Sequence, residues 1–205
     1  YVEIHHDALL TALENGKIQI GEMNFDLERR RMLIAWDDNP VIRKRAAKLF
    51  SDEEIISRKE AVEKMRPALS LKGNPHEGEK VFQAICSNCH RYGNIGKDVG
   101  PVLTEINRKS KESIMHDILD PNAAVNTQYI SHRIETKNGI IHMGVIDAEN
   151  DQSVVMKKMG GEKISFDKKD IAKMTSMGKS LMMEGLEGSI THQQMADLLS
   201  YLQNN

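Results

Sequence analysis

Cysteine is almost absent from this sequence, with two residues in 205, which leaves room for at most one disulfide. Long apolar runs are missing as well. No window holds 18 consecutive apolar residues, so nothing reads as a membrane-spanning helix. Charge of one sign is missing too: 28 Lys and Arg against 30 Asp and Glu leave a net charge of -2 and a pI near 6.5. With no basic field to attract a phosphate backbone, the composition argues against nucleic acid as a partner. The chain opens on Tyr1 rather than Met, with no charged stretch leading into an apolar one. It reads as a processed chain or as a piece of something longer. What is present suffices for a core. Apolar residues make up 40%, and the 14 glycines bring this to about 47%, a normal globular share. The length suits one core domain with appended elements.

The two cysteines stand three apart as Cys86-Ser87-Asn88-Cys89, with His90 next. This is the C-x-x-C-H pattern of covalent haem attachment. Two thiols one helical turn apart reach the two vinyl groups on one edge of a porphyrin, and the adjacent imidazole faces the iron. Three other readings compete. A structural zinc site wants a second Cys/His pair at ligand spacing, and the downstream histidines offer only loose pairs such as His132 and His142. A thioredoxin-like redox pair should come after a strand and open a helix, whereas this motif ends an amphipathic helix. A plain disulfide is the third.

Residues 1–72 read as short helices at 5–15, 26–36, 41–50 and 51 to about 65. Gly16 stops the first, Pro40 sits in the first turn of the third, and Ser51 with Glu54 caps the fourth. This succession resembles either the end of a helical-repeat array or a plain bundle. The basic residues Arg29, Arg30, Arg31, Arg43, Lys44 and Arg45 read as solvated helix faces. From Gly73 the texture changes. Asn74-Pro75 opens a helix with Val81, Phe82 and Ile85 that runs into the cysteine motif, and beyond it lie a glycine-rich loop and a helix at 110–119. Residues 129–175 read as an antiparallel β insertion of two hairpins. The first spans 129–136 and 140–146 around Asn138-Gly139, and the second spans 153–157 and 163–166 around Gly160-Gly161. Thr191 and Gln194 cap a last helix.

A second iron ligand is sought among 12 methionines. Met182 and Met183 lie in the expected loop 178–186 just before the last helix. His90 and Met182 are 92 residues apart, and 45 once the 47-residue insertion is removed, a span suited to one compact haem domain. A vacant iron, or one ligated by His132 or His142, stands as the alternative.

On these stretches the chain resembles a known family. Gly78-Glu79-Lys80-Val81-Phe82, the motif 86–90, Gly100-Pro101-Val102-Leu103, Ile118-Leu119-Asp120-Pro121, the Asn138-Gly139 hairpin, Ser180-Leu181-Met182 and Glu184-Gly185-Leu186 are similar to the haem-binding domain of the Pirellula/Verrucomicrobium type. That domain is a class-I-like cytochrome c with a β insertion. The resemblance implies a mainly α fold. A helical, HEAT-like segment at 1–72 would precede a cytochrome c domain at 73–205 carrying a small antiparallel β insertion. It implies one covalent haem c with its iron, thioethers from Cys86 and Cys89, and ligation by His90 and Met182. Pro101 and Leu103 would line the haem, with the Pro101 carbonyl accepting the outer N–H of His90. The family usually has proline after the methionine, where this chain has Met183. It also implies export to the periplasm, a dehydrogenase as donor, and another cytochrome or an oxidase as acceptor.

The expected function is an electron carrier, not an enzyme, though one that can form part of a larger dehydrogenase. Two alternatives stand beside it: a redox or gas sensor with an exchangeable Met182, and a peroxidase. The peroxidase needs an open distal site with an acid/base group, and no such constellation is legible.

Overall fold

The computed structural model describes residues 3–18, 33, 37–50 and 52–204. Apart from Leu33, the helix expected at 26–36 lies outside the described residues, as does Ser51 of the expected capping box.

Helix α1 (Glu3–Glu14) and helix α2 (Pro40–Phe50) pack on each other. Ile42, Ala46 and Phe50 recur every four residues, so α2 turns one apolar stripe inward. With Leu10, Leu13 and Leu33 they form a small buried cluster. Pro40 occupies the first turn, where its missing N–H leaves nothing unpaired, and Asn39 accepts from Val41 N–H at 2.9 Å. Arg45 lies across both helices. Its guanidinium meets both Glu14 oxygens, at 2.9 and 2.7 Å, and Asp7 at 2.5 Å.

Helix α3 (Asp52–Met65) and the 3-10 turn Arg66–Ser70 behave differently. Val62, Met65 and Ala68 bury their side chains in the core of the C-terminal half. The stretch counted with the N-terminal helices by sequence therefore shares its packing with the C-terminal half. That core gathers around helices α4 (Pro75–Val81), α5 (Lys111–Leu119) and α6 (His192–Gln203). Each begins on the polar cap its sequence announces. Asn74 accepts from His76 N–H at 3.0 Å and Ser110 from Ser113 N–H at 3.1 Å. Thr191 and Gln194 close a reciprocal capping box at 3.2 and 2.8 Å.

Helices α4 and α6 touch backbone to backbone because glycines stand at the crossing. A Cβ on Gly78 would lie 2.0 Å from the Asp197 carbonyl oxygen, and one on Gly73 would lie 2.2 Å from that of Ala196. The buried Asp197 side chain accepts at Oδ1 from Asn74 N–H at 2.7 Å and from Gln193 Nε2 at 2.9 Å, so that polar atom is partnered within the protein. Beside the crossing, Tyr201 packs on Phe82 and Tyr92 at centroid distances of 5.7 and 5.1 Å. The Tyr92 hydroxyl donates to the Leu202 carbonyl at 3.2 Å.

The sheet is larger than the sequence suggested. Strands β1 (Arg91–Tyr92) and β2 (Ile95–Gly96) form a two-residue ladder inside the glycine-rich loop. Strands β3 (Ile130–Thr136), β4 (Ile141–Glu149), β5 (Ser153–Lys157), β6 (Lys163–Asp167) and β7 (Ile171–Ser180) make one antiparallel sheet in the order β6-β5-β4-β3-β7. It buries Ile134, Val154, Met156 and Phe166 in a cluster of its own. Gly139 at φ +82° makes the first hairpin turn, and Gly160 and Gly161 at +87° and +84° make the second.

Three expectations are corrected here. The fold is mixed, with six α-helices and a five-stranded sheet among the described residues, rather than mainly α. The sheet has a fifth strand, β7, that pairs with β3 from about 40 residues away. Gly178, Lys179 and Ser180, expected in a loop, belong to that strand, so the insertion runs to Ser180 and the loop starts at Leu181.

This packing makes two outcomes testable. Gly78→Ala forces the two helices apart and lowers unfolding stability by about 3 kcal/mol, at the upper end for overpacking, read from urea midpoints. Asp147 stands 2.7 Å from both Lys157 and Lys163. Their ammonium donors hold its carboxyl below the ordinary value of 3.8. A depressed pKa stabilises the fold above the unfolded value and loses that contribution as pH falls through the folded one. Asp147→Asn therefore costs about 1 kcal/mol at neutral pH, roughly 0.5 per partly exposed pair. The difference from the unaltered protein vanishes well below pH 3.8.

Candidate cofactor site

Helix α4 leads into the site without a break. After Val81 the chain widens into a π turn, Phe82–Cys86, which ends with Ser87 N–H donating to the Phe82 carbonyl at 3.0 Å. The next turn is tight: Cys89 and His90 N–H both donate to the Cys86 carbonyl, at 3.1 and 2.9 Å. Both thiols thus sit on one turn of backbone. The loop after it folds back over it. Val99 and Gly100 N–H donate to the Cys89 carbonyl at 2.9 and 2.8 Å, and Lys97 N–H donates to the Ser87 carbonyl at 3.0 Å. Gly96, at φ +99°, lies so near that a Cβ there would be 2.0 Å from the His90 carbonyl oxygen.

The two cysteines are free, half-buried thiols. Cys86, like Ile85 and Leu103, packs against the main core. Burial pushes its thiol up to about 12, with the Cys89 thiol adding a little, and burial raises Cys89 too. Both are therefore neutral at neutral pH. Conversion to thioethers carries no charge into the core.

His90 is fixed more tightly. Its Nδ1 lies 2.8 Å from the Pro101 carbonyl oxygen. A carbonyl only accepts, so Nδ1 carries the proton and Nε2 keeps its lone pair. Among the described residues nothing hydrogen-bonds that Nε2. Burial holds the imidazole below the ordinary histidine pKa, opposed by the bond to Pro101. It is thus neutral at physiological pH, the form that ligates a metal. Gly100 supports the ring from one side: a Cβ there would be 2.7 Å from Cε1 and 3.1 Å from both ring nitrogens. The residues present fit a haem.

The other residues singled out by sequence sit around this turn or away from it. Pro101 is exposed and bonded to His90, and Leu103 is half-buried, with its N–H on the Arg91 carbonyl at 2.9 Å. Met182 is half-buried, and its N–H donates to Ser180 Oγ at 3.1 Å. Met183 is 62% exposed. His132 bonds its own strand at Ile130, and His142 lies edge-on to Phe166 at 4.9 Å within the sheet's cluster. Among the described residues no three His, Cys, Asp or Glu side chains gather into a metal cluster. The sequence reading missed two contacts. The second hairpin touches the cysteine motif through Gly160 N–H to the Asn88 carbonyl at 3.0 Å. Asn122 holds Ser180 N–H at 2.8 Å. Neither has a local sequence signal, because both join distant segments.

A family model described as cytochrome c matches residues 75–205. The chain belongs to the cytochrome c family. No curated protein matches the chain. The cytochrome c domain carries covalent haem c, and Cys86 and Cys89 are consistent with its CxxCH haem-binding motif. Membership implies haem-based electron transfer, by a carrier rather than an enzyme. Among the described residues no helix is long and apolar enough to cross a membrane.

Gly100→Ala in this cytochrome c domain presses a methyl group into the His90 ring. The covalent haem recovered per polypeptide falls severalfold in a pyridine haemochrome assay. The holoprotein loses about 1–3 kcal/mol of stability, the usual range for an overpacked site.

Proposed function

We propose that this cytochrome c relays single electrons between a dehydrogenase and another cytochrome or an oxidase, outside the cytoplasm. His90 and Met182 would hold the haem iron. One observation carries the reading: His90 is held neutral, with its proton committed to the Pro101 carbonyl at 2.8 Å and its Nε2 lone pair free. A ring oriented by an outer hydrogen bond is a stronger and better-defined ligand. Bound haem c supplies the reversible one-electron couple, and methionine opposite histidine raises its potential relative to two histidines. The protein's own residues bind and orient. Cys86 and Cys89 would tether the haem, and Pro101 sets the tautomer of His90. Half-buried Met182 suits ligation better than Met183, which stands mostly in water.

The same reading assigns the domain to the Pirellula/Verrucomicrobium type, with 73–205 as the haem domain. A sheet inserted between α5 and the methionine loop supports that assignment. The packed helices at the N-terminal end agree with a HEAT-like segment, which would dock the haem domain to its donor.

Spectra of matured protein test the ligands. Met182→Ala abolishes the far-red sulfur-to-iron band and opens the iron to carbon monoxide, while Met183→Ala keeps both properties of the unaltered protein. Survival of the band in Met182→Ala refutes this ligand set.

A further inference from the structure

The methionine loop is short of local restraints. Met183, not a proline, comes after Met182, and Gly185 adopts the left-handed conformation at φ +88°. Sequence-local forces leave residues 181–183 free to sample many conformations, each costing entropy to freeze. The restraint comes from elsewhere. Asn122, three residues beyond the end of α5, accepts from Ser180 N–H at 2.8 Å through Oδ1. Its Nδ2 donates to the Glu184 carboxylate. One amide side chain therefore ties both ends of the five-residue loop that presents Met182. Inside the loop Met182 N–H returns to Ser180 Oγ at 3.1 Å.

The two tied ends are themselves anchored. Ser180 closes β7 in register with Ile130 of β3, and Ser131 Oγ donates to the Lys179 carbonyl at 2.9 Å. On the far side Arg58 of α3, 13% exposed, lies 3.0 Å from Glu187 and 3.9 Å from Glu184. The sheet's other end rests on the haem-attachment motif through Gly160 and Asn88. The insertion thus contacts the proximal motif with one hairpin and ends in the distal loop with its last strand.

We propose that Asn122 is the positioning residue for the distal ligand. By clamping Ser180 and Glu184 it holds the Met182 sulfur ready for the iron and so sets how readily outside ligands displace it. The inference rests on Met182 being that ligand, and the test separates the two claims. Matured holoprotein is prepared as Asn122→Ala, Asn122→Asp and Met182→Ala, and each ferric form is titrated with imidazole while the far-red band is monitored. Asn122→Asp keeps an acceptor for Ser180 but turns a carboxylate toward Glu184. Both Asn122 variants are expected to bind imidazole about tenfold more tightly than the unaltered protein, equivalent to 1.4 kcal/mol, with a weakened far-red band. A merely structural role for Asn122 would lower the unfolding midpoint and leave imidazole affinity unchanged. If Met182→Ala removes the band while both Asn122 variants bind imidazole within twofold of the unaltered protein, the clamp is overturned and the ligand reading survives. If Met182→Ala keeps the band, the ligand reading fails and the clamp fails with it. Should Asn122→Ala not yield holoprotein, Asn122→Asp decides by the same criterion.

Discussion

The backbone contact between α4 and α6 sets the geometry of everything functional in this cytochrome c. Gly78 and Gly73 let the two helices approach until a single methyl group would overlap a carbonyl oxygen, and the buried Asp197 carboxylate ties the start of α4 to the same place. The haem-attachment turn continues directly from α4, and the methionine loop stands shortly before α6. Fixing the crossing therefore fixes the two segments that the proposed ligand set places on opposite sides of the haem. The aromatic group Phe82, Tyr92 and Tyr201 fills the angle between the helices and extends the same apolar wall toward Cys86.

Within this crossing the site works by removing alternatives. Burial keeps both thiols and the imidazole uncharged. The Pro101 carbonyl chooses one tautomer of His90, and the ring lies so close to Gly100 that no side chain fits between them. Groups kept in one electrostatic and steric setting are what a cofactor-based electron carrier needs from its protein.

The sheet adds a second layer of constraint. It carries its own small core around Ile134, Val154, Met156 and Phe166. A sheet touching Asn88 through one hairpin and ending at Ser180 in its last strand links the cysteine motif to the methionine loop.

Much of this was written locally. The haem pair, the helix caps at Asn74, Ser110 and Thr191, and the Asn-Gly and Gly-Gly turns each depend on residues within a few positions of one another, and short-range chemistry decides them. Strand β7 was not legible to the end, because Met177-Gly178-Lys179-Ser180 carries no clean alternation and draws its hydrogen bonds from β3, far away in sequence. The membership of α3 in the main core and the grip of Asn122 on the methionine loop were hidden for the same reason. Which donor meets which acceptor across a hundred residues is settled by how the elements pack, and an amide or carboxylate reads the same in sequence whether it ends in water or closes a loop. The sequence by itself determined what cofactor the chain holds. Only the tertiary structure decided how the distant segments around the cysteine motif and the methionine loop are tied together.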